Sequence, residues 1–175
     1  EVLDELGIRH MFFSGMPVFM YGGRALMKDF DILVPDDKIE IIAENLDLQV
    51  GEKDSSVAYT HFKDIAPGVE VNSNLIIKYN SKQVPFRFDS LWQNVKTIRF
   101  MGLEVPIMGI NDLILSKAVL GRYGEDDWGR WKDDLYDLQG LLGSQNINWR
   151  KLRTSAKQLG IEERLDESLA KVNVT

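Results

Sequence analysis

The stretch His10-Met-Phe-Phe-Ser-Gly-Met-Pro-Val-Phe-Met-Tyr21 decides the fold of this chain. Its first four residues predict a short apolar strand, and Ser14-Gly15 interrupts that strand directly before Pro17. Because proline is favoured in the first helical turn and glycine after the last, Pro17 and Gly22-Gly23 frame one short helix. A strand that runs straight into a helix presents unpaired backbone N–H groups at a positive dipole end. The junction therefore predicts a site for phosphate oxygens, where Gly15 allows close approach and Ser14 offers a hydroxyl.

A second predicted strand, Asp29-Phe-Asp-Ile-Leu-Val34, follows Gly15 after thirteen residues and carries two carboxylates. Alternation along a strand puts Asp29 and Asp31 on the same face, roughly 6.6 Å apart. Two anions at that distance repel each other, so a divalent cation such as Mg²⁺ is a natural partner. The alternative is that the pair is solvated at a sheet edge, or that Lys28 neutralises one member.

At these residues the chain resembles the DNA-polymerase-β-like nucleotidyltransferase superfamily. Its members carry a strand that ends in Gly-Gly or Gly-Ser, a short helix, and a strand with Asp-x-Asp or Asp-x-Glu. Phe13-Ser14-Gly15 and Asp29-Phe30-Asp31 fit that pattern, and Arg24 stands where small members often carry an arginine. The order Ser-Gly is a departure, because position 14 carries a side chain where glycine is usual.

A second block of sequence supports the resemblance. The segment Leu103–Leu113, followed by Lys117, Arg122 and Asp134-Leu-Tyr-Asp137, resembles the C-terminal helices of small stand-alone members, including those related to abortive-infection toxins. Lys132 departs from the usual spacing by one residue, because Asp133 separates it from the Asp-Leu pair. Together the two blocks cover roughly residues 1 to 142.

The resemblance also implies a third carboxylate, on a neighbouring strand and between apolar residues. Glu70 fits this description best, Asp89 is second and Asp64 is third. Family members usually carry Asp here, and Glu is longer by one C–C bond. The implied catalytic residues, which also hold Mg²⁺ or Mn²⁺, are Asp29, Asp31 and Glu70, and the implied nucleotide-binding residues are Ser14, Gly15, Arg24 and Lys117.

Lys117 also has an interpretation of its own. It follows Leu113 by four residues and Ile114 by three, so it shares the apolar side of a predicted helix. An ammonium group is costly there without a partner. Lys117 therefore either reaches a nucleotide phosphate or a site carboxylate, or extends its stem along the edge of the core.

The order of the predicted elements indicates an α+β protein. We expect a single nucleotidyltransferase-like domain over residues 1–175, with a mixed sheet flanked by helices over 1–108 and helices over 109–175. Strands are predicted at Val57–Phe62, Val69–Val71, Leu75–Ile77, Val84–Phe88, Thr97–Phe100 and Leu103–Val105. Helices are predicted at Lys38–Leu46, at Asp112–Leu120 with Asn111 as its cap, along the stripe Trp131, Leu135, Leu138 and Leu142, and after Trp149, with a loop at Arg122–Gly129.

Composition narrows the class of protein further. With 21 Lys plus Arg against 27 Asp plus Glu, the formal net charge is −6, which disfavours a broad nucleic-acid-binding surface. The chain has no cysteine, which excludes disulfides, thiolate nucleophiles and iron–sulfur clusters. Its most apolar stretch, Met11–Tyr21, is too short to span a membrane, and an acidic segment precedes it where a signal peptide is basic. We therefore expect a soluble cytoplasmic protein.

On this basis we expect an enzyme that transfers a nucleoside monophosphate from a nucleoside triphosphate to an acceptor by two-metal catalysis. The acceptor is tRNA, a protein or a small molecule, and the sequence does not choose among them. The alternative is a catalytically silent protein of the same fold that binds nucleotide or a protein partner. The Ser14-Gly15 order and the glutamate at position 70 favour that alternative, and a homodimer is open under either.

Overall fold

The computed structural model describes residues 2–23, 30–47, 62–66, 69–73, 75–121, 123–125, 131–144 and 147–172. The helices are α1 Val2–Glu5, α2 Gly15–Met20, α3 Ile39–Leu46, α4 Phe88–Trp92, α5 Ile110–Leu120, α6 Asp134–Leu142, α7 Trp149–Leu159 and α8 Glu162–Val172, with a 3₁₀ turn at Asp36–Lys38. The strands are β1 Met11–Phe13, β2 Phe30–Leu33, β3 Phe62–Ala66, β4 Val69–Asn72, β5 Leu75–Tyr79, β6 Lys82–Phe86, β7 Lys96–Phe100, β8 Leu103–Ile107, β9 Tyr123–Glu125 and β10 Trp131–Asp133. No helix within these ranges has the length and apolar character needed to cross a membrane.

Six strands form one mixed sheet in the order β3-β4-β2-β1-β8-β7, which confirms the α+β class. Strand β1 is antiparallel to β2 and parallel to β8, and β2 is parallel to β4. Strands β1 and β8 therefore end where β2 and β4 begin. We call this the junction end of the sheet, because the β1–α2 and β8–α5 connections lie there.

Side-chain alternation divides the sheet residues between the two faces of the sheet, which contribute to separate buried clusters. Met11, Phe13 and Leu33 face the main core, which the hairpin β5–β6 and helices α5 to α8 complete. Val71 and the half-buried Ile32 point to the opposite face and pack with residues of α1 and α3. The sheet is thus covered on both faces in its middle, and the β1–α2 connection lies at one of its open ends.

Helix α5 lies in the centre of the main core, where every residue from Ile110 to Val119 is buried. It begins after Gly109, at the junction end of the sheet. A side chain at Gly109 would place a Cβ only 2.5 Å from the backbone oxygen of Asn94, so this close approach requires glycine. The helix ends at Gly121, which adopts the left-handed conformation at φ 49°.

Helix α4 was not predicted, and the expected strand Val84–Phe88 is wrong at its end. Strand β6 stops at Phe86, and Phe88 begins α4. The alternation Phe86-Arg-Phe88 is typical of a strand, but Phe88 stacks on Trp92 with ring centroids 5.7 Å apart. That pair has the four-residue spacing of a helix, so tertiary packing outweighs the local pattern.

Two further predictions in the helical region are wrong. Asn111 does not cap α5, because its amide instead donates to the backbone oxygen of Asn148 and accepts from that residue's N–H, at 2.7 and 3.2 Å. The expected loop Arg122–Gly129 contains strand β9, which pairs with β10. Trp131 therefore belongs to a strand, and α6 begins only at Asp134.

Candidate functional site

The β1–α2 junction has an unusual backbone at Ser14. This residue has φ 64° and ψ −129°, a region that glycine enters freely and that L-residues rarely adopt. Its hydroxyl makes no capping hydrogen bond to α2. The conformation gives a physical reason for the glycine that the resemblance leads one to expect at this position, and it indicates that serine is strained here.

Relief of that strain is a testable consequence. We expect Ser14→Gly to raise the free energy of unfolding by about 1 kcal/mol, the cost of a strained φ less the added chain entropy of glycine. Urea denaturation followed by tryptophan fluorescence measures the change. Ser155→Gly, the same substitution in the interior of α7, is the control and should lower stability. Equal losses for both variants would show that Ser14 is unstrained.

The next residue, Gly15, leaves room above the backbone. A Cβ built on Gly15 would meet no atom of the described residues within 4 Å. Since Pro17 lacks an N–H, the first turn of α2 offers the N–H groups of Gly15 and Met16 to a ligand. The geometry allows an anion to contact the backbone here without a steric clash.

The far end of α2 is fixed to the β8–α5 connection. The hydroxyl of Tyr21, the residue after α2, donates a hydrogen bond to the backbone oxygen of Met108 at 3.1 Å. Burial raises the pKa of Tyr21 to about 12, so the phenol stays protonated and keeps this bond at neutral pH. Met16 packs on Val105 and Ile107 of β8. These contacts hold α2 at the junction end of the sheet.

Two of the predicted carboxylates lie side by side at this end. In the strand register, Asp31 of β2 pairs with Phe13 of β1 and with Glu70 of β4. Directly paired residues point to the same face, and neighbouring strands lie about 4.8 Å apart, so Asp31 and Glu70 are adjacent. We call Phe13, Asp31 and Glu70 the front row. Because Ser14 follows Phe13 directly, the carboxylates lie beside the β1–α2 junction.

The other predicted site residues differ in placement. Asp29 and Arg24 lie outside the described residues. Asp89 lies on α4 with an 80% exposed side chain and bonds to Arg9 at 2.8 Å, away from the front row. Asp64 is in β3, next to β4. Among the candidates for a third carboxylate, only Glu70 pairs with Asp31 in the register of the described strands.

The two carboxylates of the front row are suitable ligands for a hard divalent cation. Mg²⁺ and Mn²⁺ prefer carboxylate oxygens, and Asp31 and Glu70 supply them from neighbouring strands. Within the described ranges, no group of three acidic or histidine side chains is close enough together to hold a metal. Asp29, two residues before Asp31 in the sequence, lies outside these ranges.

Lys117 of α5 is buried and held by two carboxylates. Its Nζ lies 3.1 Å from Asp134 Oδ1 and 2.7 Å from Asp137 Oδ2, and both aspartates belong to α6. The side chains of Lys117 and Asp134 are only 8% and 4% exposed. Sequence reasoning indicated that Lys117 needs a partner but did not identify these two, which follow 17 and 20 residues later along the chain.

The ionisation of this cluster follows from burial and pairing. Burial alone lowers the pKa of Lys117, but the charges and hydrogen bonds of Asp134 and Asp137 outweigh it, so the pKa lies above its usual value. Burial also raises the pKa of Asp137, and Lys117 opposes that rise only in part. Two carboxylates share one ammonium group in this cluster. The ammonium of Lys117 therefore stays charged, and keeping the second carboxylate ionised in the buried site costs free energy of folding.

The sheet order, the β1–α2 junction and the C-terminal helices together define a nucleotidyltransferase fold. ANT(2″)-Ia in complex with adenylyl-2″-tobramycin is similar over 97% of this chain and 91% of its own, with a TM-score of 0.51 and 14% identity. The solution structure of the antibiotic-resistance factor ANT(2″)-Ia is similar over 98% of this chain and 85% of its own, with a TM-score of 0.50 and 14% identity. A protein from Thermotoga maritima, provisionally assigned as a nucleotidyltransferase, covers 69% of this chain and 81% of its own, with a TM-score of 0.53 and 13% identity. No family model and no curated protein matches the sequence.

Proposed function

We propose that this protein is a metal-dependent nucleotidyltransferase. An acceptor hydroxyl attacks the α-phosphorus of a nucleoside triphosphate, the bond between that phosphorus and the bridging oxygen breaks, and pyrophosphate leaves. The product is the acceptor with a nucleoside monophosphate attached. The observation that carries this proposal is the register pairing of Asp31 with Glu70 directly beside the Ser14-Gly15 junction.

The residues of the junction would bind and orient the triphosphate. The N–H groups of Gly15 and Met16 would donate to phosphate oxygens, and the Ser14 hydroxyl, which caps nothing in α2, is available as a further donor. Arg24 would add a positive charge that pairs with phosphate in a bidentate manner. Together these groups would place the α-phosphorus in front of the carboxylates.

Asp29, Asp31 and Glu70 would hold Mg²⁺ or Mn²⁺. When bound, the metal ions neutralise charge on the phosphates and on the attacking and leaving oxygens. Glu70 would in addition accept the proton of the attacking hydroxyl, since it lies in the front row beside Asp31. Its pairing with Asp31 supports this assignment over Asp89 and Asp64.

Lys117 is engaged in two ion pairs in the free protein. Its Nζ bonds to Asp134 and Asp137, so a direct contact with a phosphate requires one of these two bonds to open. Helix α2 packs against both α5 and α6, which carry the three residues. We therefore propose that in the free protein the ion pairs of Lys117 join α5 to α6, the two helices against which α2 packs. Lys117 would contact nucleotide only when the site is loaded.

Nucleotides labelled at different phosphates test the proposed reaction. The protein is incubated with Mg²⁺ and either α- or γ-labelled ATP, GTP, CTP or UTP, with a hydroxyl-bearing aminoglycoside, tRNA or total protein as acceptor. The aminoglycoside is tobramycin, because the ANT(2″)-Ia complex contains adenylyl-2″-tobramycin. We expect label from the α position, and none from the γ position, in one acceptor class. Transfer from the γ position would contradict the proposal, and nucleotide binding without transfer would favour a catalytically silent protein.

A further inference from the structure

Asn72 of β4 has a fully buried side chain whose polar atoms are unsatisfied. The residue is 1% exposed, and within the part of the chain that the structure describes neither Nδ2 nor Oδ1 has a hydrogen-bond partner. The backbone at this position is regular, since the Asn72 carbonyl oxygen accepts from Val34 N–H at 2.9 Å. Buried amide groups in proteins are almost always hydrogen-bonded, so an amide with both ends unpaired calls for an explanation.

The position of Asn72 connects it to the front row. In the strand register Met11 pairs with Leu33, and Leu33 pairs with Asn72. This second row lies directly behind Phe13, Asp31 and Glu70, on the same face of the sheet, because it is displaced by two residues along each strand. The Cα atoms of Glu70 and Asn72 are therefore separated by roughly 6.6 Å, which a glutamate and an asparagine side chain together can span.

We propose that Asn72 is a positioning residue for Glu70, an inference that rests on the proposed function. In the loaded site the Asn72 Nδ2 donates a hydrogen bond to one carboxylate oxygen of Glu70, and the other oxygen faces the metal and the acceptor hydroxyl. The longer glutamate needs such a support more than an aspartate would, since it has one more rotatable bond. A second hydrogen bond to a ligating carboxylate fixes its orientation and improves metal binding.

The chain offers a contrast that separates this role from a structural one. Asn111 is also a buried asparagine, 8% exposed, but both ends of its amide bond to Asn148. Removing a satisfied amide should destabilise a protein, whereas replacing an unsatisfied one with an apolar group of similar size should not. Replacing a residue that is kept for function at the expense of stability should leave or raise the melting temperature and weaken ligand binding.

The test compares Asn72→Leu with Asn111→Leu in the full chain. The melting temperature is measured without ligand, and the affinity for Mn²⁺ with a non-hydrolysable ATP analogue is measured by tryptophan fluorescence. We expect Asn72→Leu to keep or raise the melting temperature and to weaken Mn²⁺-nucleotide binding by about tenfold or more. Asn111→Leu should lower the melting temperature and leave the affinity unchanged. If leucine is not accommodated, Asn72→Val serves in its place.

A double-mutant cycle tests whether Asn72 acts through Glu70. In a Glu70→Gln background, Asn72→Leu should cause little further loss of affinity, whereas a separate structural effect would add in full. Equal affinity of wild type and Asn72→Leu, or full additivity in the cycle, would overturn this inference and leave the proposed function standing. Failure of the wild type itself to bind Mn²⁺-nucleotide would overturn the proposed function, and this inference with it.

Discussion

Replacement of Lys117 with methionine should lower the free energy of unfolding by about 3 to 5 kcal/mol, the usual cost of removing one partner of a buried ion pair. Methionine fills a similar volume, so the loss comes from charge rather than from a cavity. Asp134 and Asp137 would remain buried, with side chains only 4% and 13% exposed, and without their shared cation. Since whole domains are stable by about 5 to 15 kcal/mol, this variant is expected to be near the limit of folding.

Urea denaturation followed by tryptophan fluorescence measures this effect. Lys157→Met, a change at an exposed position of α7, is the matched control and should alter stability by at most about 0.5 kcal/mol. The triple variant Lys117→Met/Asp134→Leu/Asp137→Leu should recover much of the loss, because an apolar cluster needs no counter-charge. A stability loss for Lys117→Met no larger than that of the control would show that the ion cluster contributes nothing.

The loss should also depend on pH in a predictable direction. Burial already raises the pKa of Asp137 in the wild type, and removal of Lys117 would raise it further. A carboxylate with a raised pKa in the folded state binds more protons there than in the unfolded state, so stability rises as pH falls. The destabilisation of Lys117→Met is therefore greatest at neutral pH and decreases toward the ordinary aspartate pKa of about 4.

Replacement of Asp31 with asparagine should abolish nucleotide transfer and reduce Mn²⁺-nucleotide affinity by at least about two orders of magnitude. Asparagine keeps the shape of the side chain and removes the charge that would bind the cation. Because the change is nearly isosteric, the variant should stay folded, and its melting temperature should change little. Loss of function with retained stability is the signature of a binding residue.

The matched control is Asp37→Asn. Asp37 lies on the 3₁₀ turn beyond the opposite end of β2, with a side chain 71% exposed and paired with Lys38. This variant makes the same chemical change in the same part of the chain, and it should keep wild-type affinity. Parallel melting curves and nucleotide titrations of both variants separate the effect of the site from a general effect of charge. Wild-type affinity in Asp31→Asn would remove Asp31 from the proposed site.

The β1–α2 junction and the strand of Asp31 could be predicted because their signals are local. An apolar strand, a Ser-Gly pair and a proline at the helix start are encoded within a few residues, and the structure has α2 at Gly15–Met20 as expected within one residue. The Ser14 conformation was not predictable in the same way. Position 14 is a serine, which gives no local signal of a positive φ.

Features that depend on contacts between distant parts of the chain could not be predicted from the sequence, for a different reason. The pairing of Asp31 with Glu70, and of Leu33 with Asn72, depends on strand register between segments almost forty residues apart. Alternation shows which residues share a face of one strand but not which strand lies beside it. The partners of Lys117 are likewise set by the packing of α5 against α6, and the unsatisfied amide of Asn72 has no sequence signal at all.

Anomalous diffraction from crystals grown with Mn²⁺ and a non-hydrolysable nucleoside triphosphate tests the central claim most directly. We predict a Mn²⁺ peak about 2.1 Å from carboxylate oxygens of Asp31 and Glu70, with the triphosphate against the Gly15 backbone N–H. The Asp31→Asn variant should lose the peak under the same conditions. A peak elsewhere on the protein, or nucleotide bound away from the junction, would contradict the proposed site.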